Sequence, residues 1–371
     1  MAHIFKYPSG STKGIIIFTH KEIKFFLKGF KKIRFDFINS IVDRIYANKD
    51  YKKYFKSKLT KLSENYFLGI HYGWEHSNET AYPLIDFYMA GEGTVTFAKN
   101  HDVFSIPLCS RNFMSKNFQP ADNKKFWDIV CVSRAANFKN LDKLLHAVKK
   151  IYESGQNYKV LLIVPPSHSE KNVYVNLMAD YMSMFDTKEK QLFTIIKLSK
   201  EMSFLGMPQD SLIHFYQSSK VFTLFSRLEG ESRVISEALL CGLKVVAFKG
   251  LRGGGLDYLN QGNSFLFDSY ETAETTLISA VKDYDQGNRA KLTDNQEELK
   301  ELNSLHKIKS AFKKLYKEHD LEFDEVLTNT NRLDLRLPGH YHDVSWSRGI
   351  NTTADILTEA QFDKFYDTVK L

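Results

Sequence analysis

The chain has 371 residues, 43% hydrophobic and 14% aromatic, enough for a packed core of about two domains and contrary to a disordered or fibrous chain. Three cysteines, Cys109, Cys131 and Cys241, stand far apart with no CxxC pair; that excludes a disulfide framework or a zinc site and points to a reducing cytoplasm. Net charge is +7, and residues 21–60 alone hold twelve Lys/Arg against four Asp/Glu, while no apolar run approaches the roughly 18 residues of a membrane span, so a soluble protein with one basic segment is expected.

In chain order, "GIIIFTH" (14–20) reads as a buried parallel strand, a β-branched run opened by a glycine. The basic, aromatic segment that follows has two readings. Phe25, Phe26, Phe30, Phe35 and Phe37 among lysines could dip into an anionic membrane surface. Alternatively they form the first domain's core with the lysines facing water. "YFLGIHYG" (66–73) and "TVTFA" (94–98) read as further strands. The polar, proline-containing "NFQPADNKK" (117–125) marks a domain break, giving domains 1–122 and 123–302 and a helical tail over 303–371.

A strand-and-helix series begins near residue 126. "FWDIVCVSRA" is a strand and "NLDKLLHAVKKIYESG" an amphipathic helix closed by Gly155. "YKVLLIVPP" is a strand stopped by prolines, and "LFTIIKLS" and "MSFLG" are extended. "DSLIHFYQSS" is a helix with Asp210 as its N-cap. "KVFTLFS" is a strand, "SRVISEALLCG" a helix ended by Gly242, and "KVVAF" a strand. Such alternation specifies an α/β fold with a parallel sheet covered by helices. "NQEELKELNSLHKIKSAFKKLYKEH" is a long charged helix or helix pair. A last helix in the tail has Thr358 and Gln361 as a capping box.

"RLEGESRVISEALLCG" (227–242) carries Glu229 and Glu237 eight positions apart. The preceding strand delivers this loop to the sheet's carboxyl edge, where open parallel sheets bind ligands. The helix start around Ser232, Arg233 and Val234 offers unpaired N–H groups to an anion, and Gly230 permits close backbone approach. Carboxylates beside an anion site accept hydroxyls, so the pair suits a ligand that is part phosphate and part sugar. "CVSRAANFKN" places Arg134 and Lys139 on a second edge loop, as phosphate-gripping cations.

These blocks, "VSRAANFKNLDKLLHAV" and "FLGMPQDSLIHFYQSSKVFTLFSRLEGESRVISEALLCGLKVVAF", resemble the nucleotide-sugar half of GT-B glycosyltransferases, specifically the retaining family 4 (group 1), over residues 129–267. The resemblance implies two Rossmann-like domains facing each other across a donor cleft, with a C-terminal helical extension packing back on the first. It implies that Arg134 and Lys139 hold the donor's diphosphate and that Glu229 touches the transferred sugar. Glu237 would take the ribose, and the backbone at Gly206 and Met207 would flank the base. Residues 253–255 match the family's glycine-containing loop. The catalytic set is then Glu229, Arg134 and Lys139, with Gly230, Glu231, Ser232, Arg233 and Val234 completing the donor site.

Two departures stand out. Gly230-Glu231-Ser232 replaces a Gly-Phe-Gly-like run and adds a charge near the diphosphate. The N-terminal half is short and lacks a glycine-rich loop after its first strand, since "SGSTKG" precedes that strand.

The resemblance further implies transfer of a sugar from a UDP- or GDP-linked donor to a glycan, lipid-linked or protein acceptor hydroxyl. Retention without a metal or other cofactor is implied, at the cytoplasmic side and peripherally on the inner face of a membrane. An inverting enzyme would need a base, for which His20, His71 and His76, with Glu75, are the acceptor-side candidates. "DYD" (283–285), in a loop after a helix, and "HYHD" (340–343) do not read as metal sites. A sugar-nucleotide epimerase or hydrolase, and a non-catalytic relative, are the alternatives. No nucleic-acid-binding signature appears.

Overall fold

The computed structural model describes residues 2–19, 49–72, 76–79, 81–91, 95–97, 103–165, 171–198, 207–290, 298–328, 330, 353–354, 366–367 and 369. Among the predicted features, His20, Glu75, Gly206, "HYHD", the Thr358/Gln361 capping box and most of the basic segment lie outside these residues. The chain divides into two compact units, Met1–Phe113 with Glu301–Leu371, and Met114–Lys300.

In the first unit, β1 (Ala2–Lys6) pairs antiparallel with β2 (Gly14–Thr19). "SGSTKG" is the turn between them, closed by reciprocal 3.0 Å hydrogen bonds between Ser9 and Thr12. That is why the glycines precede the strand. β1, which has no signal in the sequence pattern, precedes β2 in the chain and lies beside it in the sheet. Then come α1 (Lys49–Asn65), β3 (Tyr66–Tyr72), β4 (His76–Glu79), β5 (Phe87–Ala90), β6 (Val95–Phe97) and β7 (Ser105–Ile106). β2, β3, β5 and β7 run parallel in that order, and β4 and β6 pair separately. Ile16 and Phe18 face one buried cluster, Ile15 and Ile17 the other, so an unbroken apolar run is what this strand requires.

The second unit contains β8 (Trp127–Val132), α2 (Leu141–Glu153), β9 (Val160–Val164), α3 (Lys171–Met184), α4 (Thr187–Leu192), β10 (Phe193–Lys197) and α5 (Gln209–Gln217). After these come β11 (Ser219–Leu224), α6 (Arg233–Leu240), β12 (Lys244–Phe248), β13 (Ser264–Phe267) and α7 (Ala273–Asp285). Its six strands are all parallel, in the order β10-β9-β8-β11-β12-β13. This is the doubly wound order in which the winding reverses between the first and fourth strands, here β8 and β11. Helices cover both faces, burying one cluster with Leu144, Val148 and Leu277 and another with Ile235, Ala238 and Leu239.

The chain then returns to the first unit through α8 (Glu301–Glu318) and β14 (Thr353–Ala354), which pairs with β1. Ile308, Phe312, Leu315 and Tyr316 of α8 join the cluster around Phe5, Ile15 and Ile17. The α/β class expected from the sequence is the class observed, with two units that each carry a largely parallel sheet.

Several local expectations are revised. The unit boundary falls at Phe113/Met114 and not within 117–125, because Met114 N–H donates to the Leu299 carbonyl (3.0 Å) and Met114 and Phe118 are buried in the second core. α5 begins at Gln209 with Pro208 at its N-cap position, not Asp210. The D-x-D pair sits in the last turn of α7, not in a loop; Asp283 is ion-paired with Lys244, and Asp285 with Lys220 at 2.7 Å. His71, an acceptor-side candidate, lies inside β3, within the strand expected over 66–73, and is fully buried.

Candidate functional site

Adjacent strands whose crossovers leave in opposite directions open a crevice at their carboxyl ends. In the second unit these are β8 and β11, and the loops that follow them, 133–140 and 225–232, contain both predicted clusters.

The first loop leaves β8 with Ser133 N–H donating to the Ile163 carbonyl (3.0 Å) and tightens into a single 3-10 turn over Asn137–Lys139. Asn140 then takes a left-handed conformation, φ 50° and ψ 42°, before α2 begins. Asparagine is among the few non-glycine residues that accept this conformation readily. Its side chain caps nothing in α2. Instead Nδ2 donates to the Phe225 carbonyl (3.1 Å) and lies 2.6 Å from the Tyr270 hydroxyl, which itself donates to that carbonyl (3.0 Å). A position the sequence marks as a helix start thus serves to fix the end of β11.

The second loop is strapped on two sides. Arg227 N–H donates to the Phe138 carbonyl (2.9 Å), joining the loops directly. Glu229 N–H donates to the Arg252 carbonyl (2.9 Å), Arg252 N–H to the Arg227 carbonyl (3.1 Å), and Gly254 N–H to the Gly230 carbonyl (3.1 Å). The glycine run is required by this second strap. Gly253 has φ +87°, and a Cβ there would lie 1.8 Å from the Glu229 carbonyl oxygen. Gly255 has φ +133°, and its Cβ would meet Ile235 Cδ1 at 2.8 Å and Ser232 Cβ at 3.0 Å.

Lys139 Nζ and Glu229 Oε1 form an ion pair, with side chains only 11% and 8% exposed. The Arg134 guanidinium and the Lys139 ammonium both lie over the Phe138 ring, 5.3 and 5.4 Å from its centroid. Beneath them Cys131 is fully buried, which pushes its thiol up to about 12, so it is not a nucleophile at neutral pH. Glu237, in the second turn of α6, is also buried. It accepts a 3.0 Å hydrogen bond from the Tyr216 hydroxyl, and its other oxygen is 3.9 Å from Arg233 Nε. Burial raises its pKa, with Arg233 and Tyr216 pulling the other way. Ser232 occupies the N-cap position of α6 without capping it, and its buried hydroxyl has no hydrogen-bond partner among the described residues.

The structure therefore brings Arg134, Lys139, Glu229, Gly230 and the 253–255 run together. Ser232, Arg233 and Glu237 stand on the adjoining helix, where Arg233 N–H donates to the Glu231 carbonyl (2.8 Å). Glu231 itself is buried, 7% exposed. Met207 and Val234 pack against the same core cluster. His71 belongs to the first unit's sheet, and of His76 only its backbone place in β4 is described. Sequence reasoning missed Phe138, Asn140, Tyr216 and Tyr270. Phe138 and Asn140 stand inside the quoted "SRAANFKN", while the two tyrosines carry no local signal.

A doubly wound sheet with cations and carboxylates converging at its switch point is a nucleotide-binding type of α/β unit. The family of glycosyl transferases group 1 matches residues 113–299, half of the chain, and the chain belongs to that family. No curated protein sequence matches it significantly. Among solved structures, the pneumococcal O-GlcNAc transferase GtfA in complex with UDP and GlcNAc is similar at 13% identity over 71% of this chain and 53% of that one (TM-score 0.43). TarM of S. aureus is similar at 14% over 68% and 50% (0.47). Sucrose-phosphate synthase from Thermosynechococcus elongatus is similar at 15% over 72% and 77% (0.47). The chain spans about half the length of the first two.

Proposed function

We propose that this protein transfers a sugar from a nucleoside-diphosphate sugar to an acceptor hydroxyl, with the donor held by the second α/β unit. The observation that carries the reading is the meeting of Lys139 with Glu229 at the switch point of the second sheet, beside Arg134. Departure of the nucleoside diphosphate is the hard step, because negative charge accumulates on the leaving phosphate. Arg134 and Lys139, with the positive end of the α6 dipole, offset that charge, preorganised in a largely buried site. Glu229 accepts the hydroxyls of the transferred sugar, and Glu237 those of the ribose, with Gly206 and Met207 flanking the base.

Two cations supply the charge stabilisation, so the reaction proceeds without a metal or other cofactor. It proceeds with retention, the leaving phosphate itself taking the acceptor's proton, and His20, His71 and His76 are not needed as bases. The acceptor is a glycan, a lipid-linked glycan or a protein hydroxyl, in the assembly of a surface polysaccharide, glycolipid or glycoprotein. The basic, aromatic segment 21–60 supports work at the inner, anionic face of a membrane. No helix among the described residues is long and apolar enough to cross one.

The test is nucleoside-diphosphate release from a panel of UDP-, GDP- and ADP-sugars, with and without added glycan acceptors, and with the product's anomeric configuration read by NMR. Acceptor-dependent release with an unchanged anomeric configuration supports the proposal. Conversion of the donor without any acceptor would favour the epimerase or hydrolase reading. Failure of every donor to bind would favour a non-catalytic relative.

A further inference from the structure

We propose that Phe138 is a positioning residue that holds the two phosphate-gripping cations in their working geometry. The inference rests on the donor-site reading above and adds to it a residue with no charge and no hydrogen-bonding side chain. Three observations carry it. The Arg134 guanidinium and the Lys139 ammonium lie over the same ring, at 5.3 and 5.4 Å from its centroid, within the range where an aromatic face attracts a cation. The backbone carbonyl of the same residue accepts the Arg227 N–H at 2.9 Å, so the ring is anchored to the loop that carries Glu229. Phe138 also sits in the middle of the 3-10 turn, one residue before Lys139 and two before the left-handed Asn140.

The physical need is plain. Two cations aimed at one diphosphate repel each other before the ligand arrives, and both are long chains with many rotamers to lose. Glu229 neutralises Lys139. The ring's negative face attracts both cations and thereby restricts where their chains can wander. A leucine of similar bulk fills the same space and leaves the Arg227 bond to the backbone intact, but it offers no such face. A tyrosine or tryptophan offers it. Ring face, and not volume, is therefore the property under test.

The experiment is calorimetric titration of UDP, GDP and ADP into wild-type protein and the Phe138→Leu, Phe138→Tyr and Phe138→Trp variants, with melting of each ligand-free protein. The expected result is roughly a tenfold weaker affinity for the best diphosphate in Phe138→Leu, because the aromatic face that attracts both cations is gone. Phe138→Tyr or Phe138→Trp is expected to recover most of it while all four proteins melt within a few degrees of each other. Equal affinity of wild type and Phe138→Leu overturns the inference and leaves the donor site standing. Equal weakness of all three variants also overturns it, because the ring face then has no role. A wild type that binds none of the three diphosphates overturns the donor reading, and this inference with it.

Discussion

Lys139 and Glu229, ninety positions apart in the chain, form a buried ion pair between the loops that follow β8 and β11. A buried pair contributes little over a well-packed apolar replacement, but removing one partner strands a charge at a cost of about 3–5 kcal/mol. Lys139→Ala and Glu229→Ala should therefore each lower stability by about that much in urea unfolding. The double variant should lose clearly less than the sum of the two, since no charge is left alone. Additive losses would show that the two side chains do not meet.

Glu237 responds to pH through its burial. Its folded pKa is raised from the ordinary 4.5, so between that value and the folded one the native state holds more protons than the unfolded state. Its contribution is then present in full below pH 4.5 and lost as pH rises through the folded pKa. Glu237→Gln removes this dependence and keeps an acceptor for Tyr216. The variant should gain melting temperature relative to wild type at pH 7–8 and gain none near pH 4. Its affinity for nucleotides with an intact ribose should fall.

His3 gives the opposite sign. Both its ring nitrogens are buried without a hydrogen-bond partner among the described residues, and burial lowers its pKa from 6.5 to about 4. Unfolding allows it to protonate, so stability is lost as pH falls from 6.5 toward 4, by roughly 3 kcal/mol in all. His3→Leu should flatten that part of the stability–pH curve, measured by chemical unfolding across pH 4–7.

Gly253 and Gly155 separate strain from collision. Both have positive φ, +87° and +84°, but a Cβ at Gly155 meets nothing within 4 Å while one at Gly253 strikes the Glu229 carbonyl. Gly155→Ala should cost about 1–2 kcal/mol from backbone conformation alone. Gly253→Ala should cost more and should also weaken diphosphate binding, because the loop carrying Glu229 has to move. Melting and calorimetric titration of the two variants check both statements.

The two clusters were legible in the sequence because each lies within one short segment at a strand's end. Alternating strands and helices placed "SRAANFK" and "RLEGE" at one sheet edge, and Gly155 and Gly242 marked helix ends that the structure has. What brings the clusters together was not legible. The Arg227–Phe138 bond and the Asn140–Phe225–Tyr270 cluster join segments tens of residues apart and have no local pattern. β1 was missed because "AHIFK" is short and becomes a strand only by pairing with β2 and β14. α3 was missed because Val173, Tyr174 and Val175 favour strands locally, and Leu177 and Tyr181 become helical by packing against α2 and β10. The full burial of His71 within β3 was likewise not legible, because the stretch "YFLGIHYG" does not show that both faces of this strand are covered.

Arg134, Lys139, Glu229 and Glu237 are proposed to bind one sugar nucleotide. This binding is tested most directly by the melting temperature of wild type and of the Arg134→Ala and Lys139→Ala/Glu229→Ala variants against UDP-, GDP- and ADP-sugars. At least one donor should stabilise wild type by several degrees, and neither variant should respond to it. No stabilisation by any donor, or the same stabilisation in the variants, would show that these four residues do not form a donor site.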